Sequence, residues 1–510
     1  MEQLSYPVPV QMAAALLDAA AEAYPGIFNA QSADTYSKAI QKAKAVVLQF
    51  LEQQQRPFSG ISVAQLNELF DTVDFDTPLQ DYDALLQEVQ ELYVNHATAF
   101  HLPQYIAHLN CPVVIPALVA EVLISAINSS QDTWDQSAGG TLMEQRLIAW
   151  TATQIGFGAY ADGVFTSGGT LSNLMGMLLA RDHFAQEHFA HNIKKDGNPS
   201  EAGRFKVFVS EKSHFSNLKN ASLLGLGEQG IVKVSTDQRF RMDVAALQSA
   251  IEAELAQGNI PIAVIATAGT TDFGNIDPLE PIARLAGRYN IWMHVDAAYG
   301  CGLLLSNKYR DLLQGIELAD SVTIDYHKSF FQPVSSSAFI VRHRNLLKII
   351  RHHADYLNPE DQDYEEHPSL VNKTVTQVTR RFDALKLWCT LRMLGKEELG
   401  RYIDTIIDTA AETAALIEAD PELELLCDSD ISALLFRYVP GGITDEESDT
   451  LNSYIKKEMF RSGEVMVAST KVNGRFYLKF TLLNPVTTIE DIRSILQTIK
   501  QYGDTFYALS

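Results

Sequence analysis

Two residues set the chemistry to be explained. Asp296 lies late in HVDAAYG (294–300), and Lys328 lies in DYHKSFFQPVSSSAF (325–339), near the end of the next predicted strand. A buried carboxylate without a partner is costly and needs a cation or a donor. A pyridinium ring or a structural arginine would each serve. A lysine in such a place is equally uncommon, because a buried ammonium is expensive. Desolvation is expected to lower its pKa and make the amine a nucleophile. Pyridoxal phosphate chemistry needs both groups. A lysine amine holds the aldehyde as a Schiff base, and a carboxylate keeps the pyridine nitrogen protonated so that the ring accepts electrons.

Further candidates fall at the predicted carboxyl ends of strands, where ligands bind in parallel sheets. Ser167-Gly168-Gly169-Thr170 joins a strand to a helix. Its glycines permit close backbone approach, and the helix N-terminus favours a phosphate; a plain tight turn would look the same. His214 follows another strand and could lie flat on a cofactor ring, although a surface-loop histidine is the commoner case. Thr271, in ATAGTTDFG, could bond ring substituents or be a turn hydroxyl. Ser321 and His327 flank Lys328 and could reach a phosphate.

The elements that must carry these residues are legible over about 150–345. Short apolar runs (GVFTSGG, RFKVFVS, IVKVS, PIAVIATAG, IWMHVDA, DSVTIDY, AFIVRH) alternate with amphipathic stretches. Val244, Leu247, Ile251 and Leu255 share one helical face, with Asp243 placed to cap its start and Gly258 its end. A further helix is expected from Asp277-Pro278 to Tyr289. Continuous apolar strands alternating with helices indicate an α/β fold with a mainly parallel sheet. Before this region, 11–23 and 38–55 read as helices of an N-terminal arm. After it, 355–378 is acidic and weakly periodic, a candidate mobile loop or a plain linker. Helices over 382–394 and 401–418 and strands within 432–439 and 475–484 indicate a smaller α+β part.

Bulk composition excludes several functions. The 510 residues suggest roughly three domains. A net charge of −23 argues against nucleic acid or an anionic membrane as partner. The apolar stretch 111–127 contains Pro112, Pro116 and Glu121 and is too short and interrupted to span a bilayer. Four dispersed cysteines and a start without a signal-peptide pattern suit a cytoplasmic protein. GLGEQG (225–230) matches a dinucleotide fingerprint, but a strand-like run follows where that motif requires a helix. His183, His188 and His191 are spaced poorly for a metal face, so no metal is expected.

Taken in order, SGGTLSN, SHFS, ATAGTTDFG, HVDAAYG and DYHK resemble the group II pyridoxal phosphate-dependent amino-acid decarboxylases. Residues 107–137 and 325–339 resemble the bacterial L-2,4-diaminobutyrate decarboxylases among them. The resemblance implies fold type I, the aspartate aminotransferase-like fold. It implies an N-terminal helical arm (1–106), a cofactor-binding large domain (107–380), a small C-terminal domain (381–510) and a homodimer. It also implies an amino-acid substrate, with glutamate, lysine or ornithine as alternatives and a transaminase as a different reaction. By resemblance, Lys328 anchors the cofactor, Asp296 pairs with its ring nitrogen and His214 stacks on the ring. Gly169, Thr170, Ser321 and His327 match phosphate positions, Thr271 a ring contact, and Ala298 the face opposite His214.

Two departures stand out. Relatives carry a loop tyrosine about ten residues before the arginine pair, here Arg380-Arg381, and none lies there; Tyr364 is further upstream. His214, Tyr364 or a water is thus the candidate proton donor. Lys479 stands where glutamate decarboxylases place an arginine, and it lacks the bidentate fork. Asp132 and Asp135 are candidate acceptors for a distal substrate ammonium.

Overall fold

The structure, a computed structural model, describes residues 24, 26–361 and 367–509. The helix expected over 11–23 and Tyr364 lie outside the described residues. These residues form two compact units: Met1–Ala99 with Phe460–Val465, and Phe100–Met459 with Met466–Ser510.

The first unit contains helices Ala33–Gln53, Val63–Phe70 and Tyr82–Leu92. Ser62 and Gln65 cap the second reciprocally. A Lys42–Asp83 ion pair (2.5 Å) links the first to the third. None of the three has a buried residue, so this segment has no core of its own.

The second unit is built on a seven-stranded sheet: β1 (Asp162–Thr166), β2 (Phe205–Ser210), β3 (Ile231–Val234), β4 (Ile260–Thr267), β5 (Trp292–Ala297), β6 (Ser321–Ile324) and β7 (Ser337–Val341). Their order is β1-β7-β6-β5-β4-β2-β3. Five neighbouring strands are parallel, and β7 runs antiparallel to both β6 and β1. Consequently β1 points the same way as β6, and the carboxyl ends of β1, β2, β4, β5 and β6 share one edge. β4, β5 and β6 are buried almost end to end, as parallel strands covered on both faces must be. A second sheet of β8 (Leu423–Leu425), β9 (Ala433–Tyr438), β10 (Ala468–Val472) and β11 (Arg475–Thr481) is antiparallel in the order β10-β11-β9-β8. Among the described residues no helix is long and apolar enough to cross a membrane.

Local chemistry explains the helix ends. Asp243 accepts from Ala246 N at 2.9 Å and caps Val244–Ala256. The expected Asp277-Pro278 start is adjusted: the helix is Leu279–Tyr289, and Asp277 does not cap it. Its buried carboxylate accepts from Met242 N (2.6 Å) and Thr267 N (2.7 Å), and burial pushes its pKa up to about 6. After GLGEQG comes β3, not a helix.

One buried ion pair fixes the entry to the site. Arg380 Nη1 donates to Glu144 Oε1 and Oε2 (3.1 and 3.2 Å) and to Phe165 O (3.1 Å), while Nη2 donates to Gln131 O (3.1 Å). Glu144 also accepts from Phe165 N at 3.0 Å. The clamp holds the end of β1 just before Ser167. Arg380→Ala leaves Glu144 buried and unpaired, so it is expected to destabilise the fold by about 3–5 kcal/mol. A urea unfolding curve reads this directly; an unshifted midpoint would contradict it.

Candidate active site

A cavity of about 280 Å³ opens at the shared edge of the strands. Ser167 to Thr170 enter it after β1, His214 after β2, Gly269 and Thr271 after β4, Asp296 and Ala298 from β5, and Asp325, His327 and Lys328 after β6. The structure therefore brings together Lys328, Asp296, His214, Gly169, Thr170, Thr271, Ala298 and His327. The chain has to make no special excursion to do this, because parallel strands end where their following loops begin.

Gly169 opens the 21-residue helix Gly169–Phe189. A Cβ there would lie 2.9 Å from Asp325 Oδ2, 3.1 Å from Oδ1 and 3.3 Å from Ala298 Cβ. Only glycine lets the helix start approach so closely. Helix N-termini carry unsatisfied N–H groups and partial positive charge, so the turn is built for an anion.

Asp296 is 5% exposed. Its Oδ2 accepts from Asn173 Nδ2 (2.7 Å) and its Oδ1 from Ala298 N (3.1 Å). Neither donor is a cation, so the structural-arginine alternative for its partner finds no support in these bonds. Behind it runs a polar relay. Trp292 Nε1 donates to Ser321 Oγ (3.0 Å), and Ser321 Oγ lies 2.7 Å from His294 Nδ1. His294 Nε2 lies 3.0 Å from Asn173 Oδ1, which also accepts from Thr323 Oγ1 at 2.7 Å. Burial pushes the His294 pKa down to about 3, so the ring is neutral and carries one N–H. With Nε2–H donated to Asn173 Oδ1, Nδ1 accepts from Ser321. The asparagine amide is thereby oriented with its NH₂ toward Asp296. Gly176 makes room: a Cβ there would lie 2.6 Å from His294 Nδ1.

Ser321, expected among the phosphate contacts, is not brought to the cavity. It is fully buried on β6, and its hydroxyl is committed to Trp292 and His294. Strand alternation points it into the relay instead of past the strand end. Ser321→Ala is expected to cost about 1–3 kcal/mol through the two orphaned ring nitrogens, measured by thermal melting. A selective loss of cofactor affinity without loss of stability would restore the phosphate role.

The electrostatics correct a second expectation. Burial lowers the Lys328 pKa, but the charges of Asp325 and Asp296 outweigh it, and the net direction is upward. Lys328 Nζ lies 3.0 Å from Asp325 Oδ2. His214 is held below its usual value, chiefly by burial and then by Lys328, against the opposing pull of Asp296 and Asp325. Burial likewise lowers His327, whose Nδ1 lies 2.7 Å from Ser336 O.

Other expected residues lie elsewhere. Asp132 and Asp135 do not line the cavity. The Asp132 carbonyl accepts from Ser369 Oγ and from Leu370 and Val371 N, and Asp135 accepts from Thr133 Oγ1. Lys479 is 5% exposed and donates to Thr271 O (3.1 Å) and Asp272 Oδ1 (3.0 Å). Asp325, Asn173 and His294 were not singled out from sequence, although Asp325 opens DYHK and Asn173 closes SGGTLSN, one helical turn after Thr170.

A buried carboxylate held by neutral donors, a lysine, a glycine-bounded helix start and a histidine in one cavity fit pyridoxal phosphate. Comparison with known proteins agrees. Residues 65–439 match the family described as "Pyridoxal-dependent decarboxylase conserved domain". The chain is 40% identical over 480 residues to the L-2,4-diaminobutyrate decarboxylase of Acinetobacter baumannii, covering 92% of this chain and 93% of that protein. It is 39% identical to the enzyme of the same name from Rhizobium meliloti, covering 87% and 86%. Its fold superimposes with a TM-score of 0.85 and 34% identity on the glutamate decarboxylase domain of diaminobutyrate-pyruvate transaminase and L-2,4-diaminobutyrate decarboxylase from Vibrio parahaemolyticus, covering 94% of this chain and 97% of that one. With its fold type I architecture, the chain belongs to the pyridoxal-dependent decarboxylase family and is a carboxy-lyase that uses pyridoxal phosphate.

Proposed function

We propose that the chain decarboxylates L-2,4-diaminobutyrate to 1,3-diaminopropane and carbon dioxide. The observation that carries the decarboxylase chemistry is the presence of Asp296 and Lys328 in one cavity at the ends of neighbouring strands. Lys328 is the amine that anchors the cofactor. Gly169 and Thr170, at the helix start, and His327 hold its phosphate. Asp296 keeps a proton on its ring nitrogen, and the Asn173–His294–Ser321 relay keeps that carboxylate in place. His214, Ala298 and Thr271, which line the same cavity, would hold the cofactor ring. When bound, pyridoxal phosphate supplies the electron sink for the bond between Cα and the carboxylate. His214, whose pKa burial lowers, would orient the substrate carboxylate in the cavity.

The substrate assignment draws on the names of the two relatives. Charge supports it. Lys479 is already neutralised by Asp272, so an acidic substrate side chain finds no free cation there. Initial rates on L-2,4-diaminobutyrate, glutamate, lysine and ornithine test the choice. Faster release of carbon dioxide from glutamate would overturn it, and a keto-acid product would indicate a transaminase.

Homodimerisation and a cytoplasmic location belong to the same reading. The helix Ile115–Ile127 exposes Ile115, Leu118, Val119, Val122, Leu123 and Ile127, a contiguous apolar face of the kind that marks an interface. All four cysteines are free, as suits a reducing compartment. Sedimentation at micromolar concentration is expected to give twice the chain mass; a monomer would contradict the dimer.

A further inference from the structure

Asp325 has no assigned task, yet it is the most buried acid in the cavity, at 2% exposure. Its two oxygens differ. Oδ2 lies 3.0 Å from Lys328 Nζ and 3.7 Å from His327 Nε2. Oδ1 is buried and has no hydrogen-bond partner among the described residues. Asp296 contrasts with it, because both of its oxygens accept from fixed donors. A buried carboxylate oxygen without a donor is costly. Asp325 immediately precedes the short Tyr326–Ser329 helix that carries Lys328 three residues on, so their geometry survives any rearrangement that leaves this turn intact.

We propose that Asp325 is the proton partner of Lys328. It holds the ammonium while the amine is free, and it accepts one proton from Nζ when the amine must act as a nucleophile. The proton moves to the carboxylate, nitrogen keeps its electron pair, and no other bond changes. Asp325 is a positioning residue here, acting through Lys328, and the inference rests on Lys328 being the anchor. The other ionisable groups facing this pair are His327 on the same turn, Asp296 from β5, Cys301 from the turn after β5, and His214 from the loop after β2. Burial pushes the Cys301 thiol up to about 12, so it stays protonated and cannot substitute as the acceptor near neutral pH. Burial also lowers His214 and His327, which leaves Asp325 as the charge in contact with the amine.

The test titrates Lys328 in the cofactor-free, full-length chain. Competitive acetylation with acetic anhydride across pH, read by peptide mass spectrometry, gives the midpoint for this one amine. The wild-type midpoint is expected above that of an ordinary lysine. In Asp325→Asn it is expected to fall by about one to three pH units, the usual effect of removing an adjacent opposite charge. The pH profile for appearance of the visible absorbance band after adding pyridoxal phosphate should move the same way. An unmoved midpoint in Asp325→Asn overturns the proposal. Should that variant fail to fold by circular dichroism, a wild-type midpoint at or below the ordinary value overturns it alone. Borohydride reduction of the loaded enzyme separately asks whether Lys328 carries the pyridoxyl label. A labelled Lys328 with an unmoved midpoint sinks this inference only, whereas an unlabelled Lys328 sinks the anchor assignment itself.

Discussion

Lys328→Ala is expected to remove the visible absorbance band of the cofactor-loaded enzyme and to lower kcat by about three orders of magnitude or more. The band arises from conjugation between the ring and the lysine nitrogen, and alanine has no nitrogen to offer. The kinetic loss combines the anchor with the proton-handling role of a cavity amine, and the second alone contributes about 10²–10⁴-fold. Folding should survive. Among the described residues Lys328 makes its ion pair with Asp325 alone, and the shorter side chain leaves space inside a cavity that already exists. The Asp325 carboxylate then loses its cation, so a modest loss of stability is expected alongside. Absorbance spectra, single-substrate kinetics and thermal melts separate the three effects. A surviving visible band would place the anchor on another lysine.

Asp296→Asn is expected to cost about 10²–10³-fold in kcat, with a smaller change in KM. The substitution keeps the shape and the hydrogen bond from Ala298 N, but it removes the charge. The carboxylate would act by holding a proton on the ring nitrogen of bound pyridoxal phosphate, and losing a preorganised electrostatic contribution of this kind is worth about this much. It acts on the transition state more than on the bound substrate, which is why kcat bears the loss. With its carbonyl oxygen kept on Ala298 N, the asparagine turns an NH₂ toward Asn173 Nδ2, two donors face each other, and the 2.7 Å bond at the end of the relay is lost. Equal loss in kcat and in cofactor affinity would instead mean that Asp296 only helps to bind the ring. Asn173→Leu supplies the comparison. It leaves the Asp296 charge intact and removes the group that orients it, so its loss should be smaller and should come with a shifted pH profile.

Much of this site was legible before any coordinates. The strand ends carrying Ser167, His214, Thr271, Asp296 and Lys328 could be read because parallel strands buried on both faces are continuous apolar runs, and the loop after each run must sit at one edge. Lys328 and Asp296 were readable for a further reason: charged groups in apolar runs are rare unless something pays for them. Ser321 was misplaced because proximity to Lys328 in the chain says nothing about which side of β6 a residue faces. Its neighbour Val322 and the next polar residue, Thr323, show that two hydroxyls share the relay side of that strand. The rise in Lys328's pKa was also hidden, since the sign depends on two carboxylates outweighing burial.

Composition and order alone determined that the chain has an α/β core, and they singled out one acid, one lysine and a glycine turn as candidates for its chemistry. These follow from local rules: periodicity, the cost of burying charge, and the backbone freedom of glycine. The tertiary structure alone decided which polar groups stand behind Asp296, where Ser321 points, and that Asp325 and not Asp296 touches the Lys328 amine. Each of those depends on distances between strands and helices far apart in sequence: Asn173 with Asp296, and His294 with Ser321. Hydrogen bonds fall away within a few tenths of an ångström and a few tens of degrees, so only the packed chain can choose among candidates that the sequence leaves equivalent.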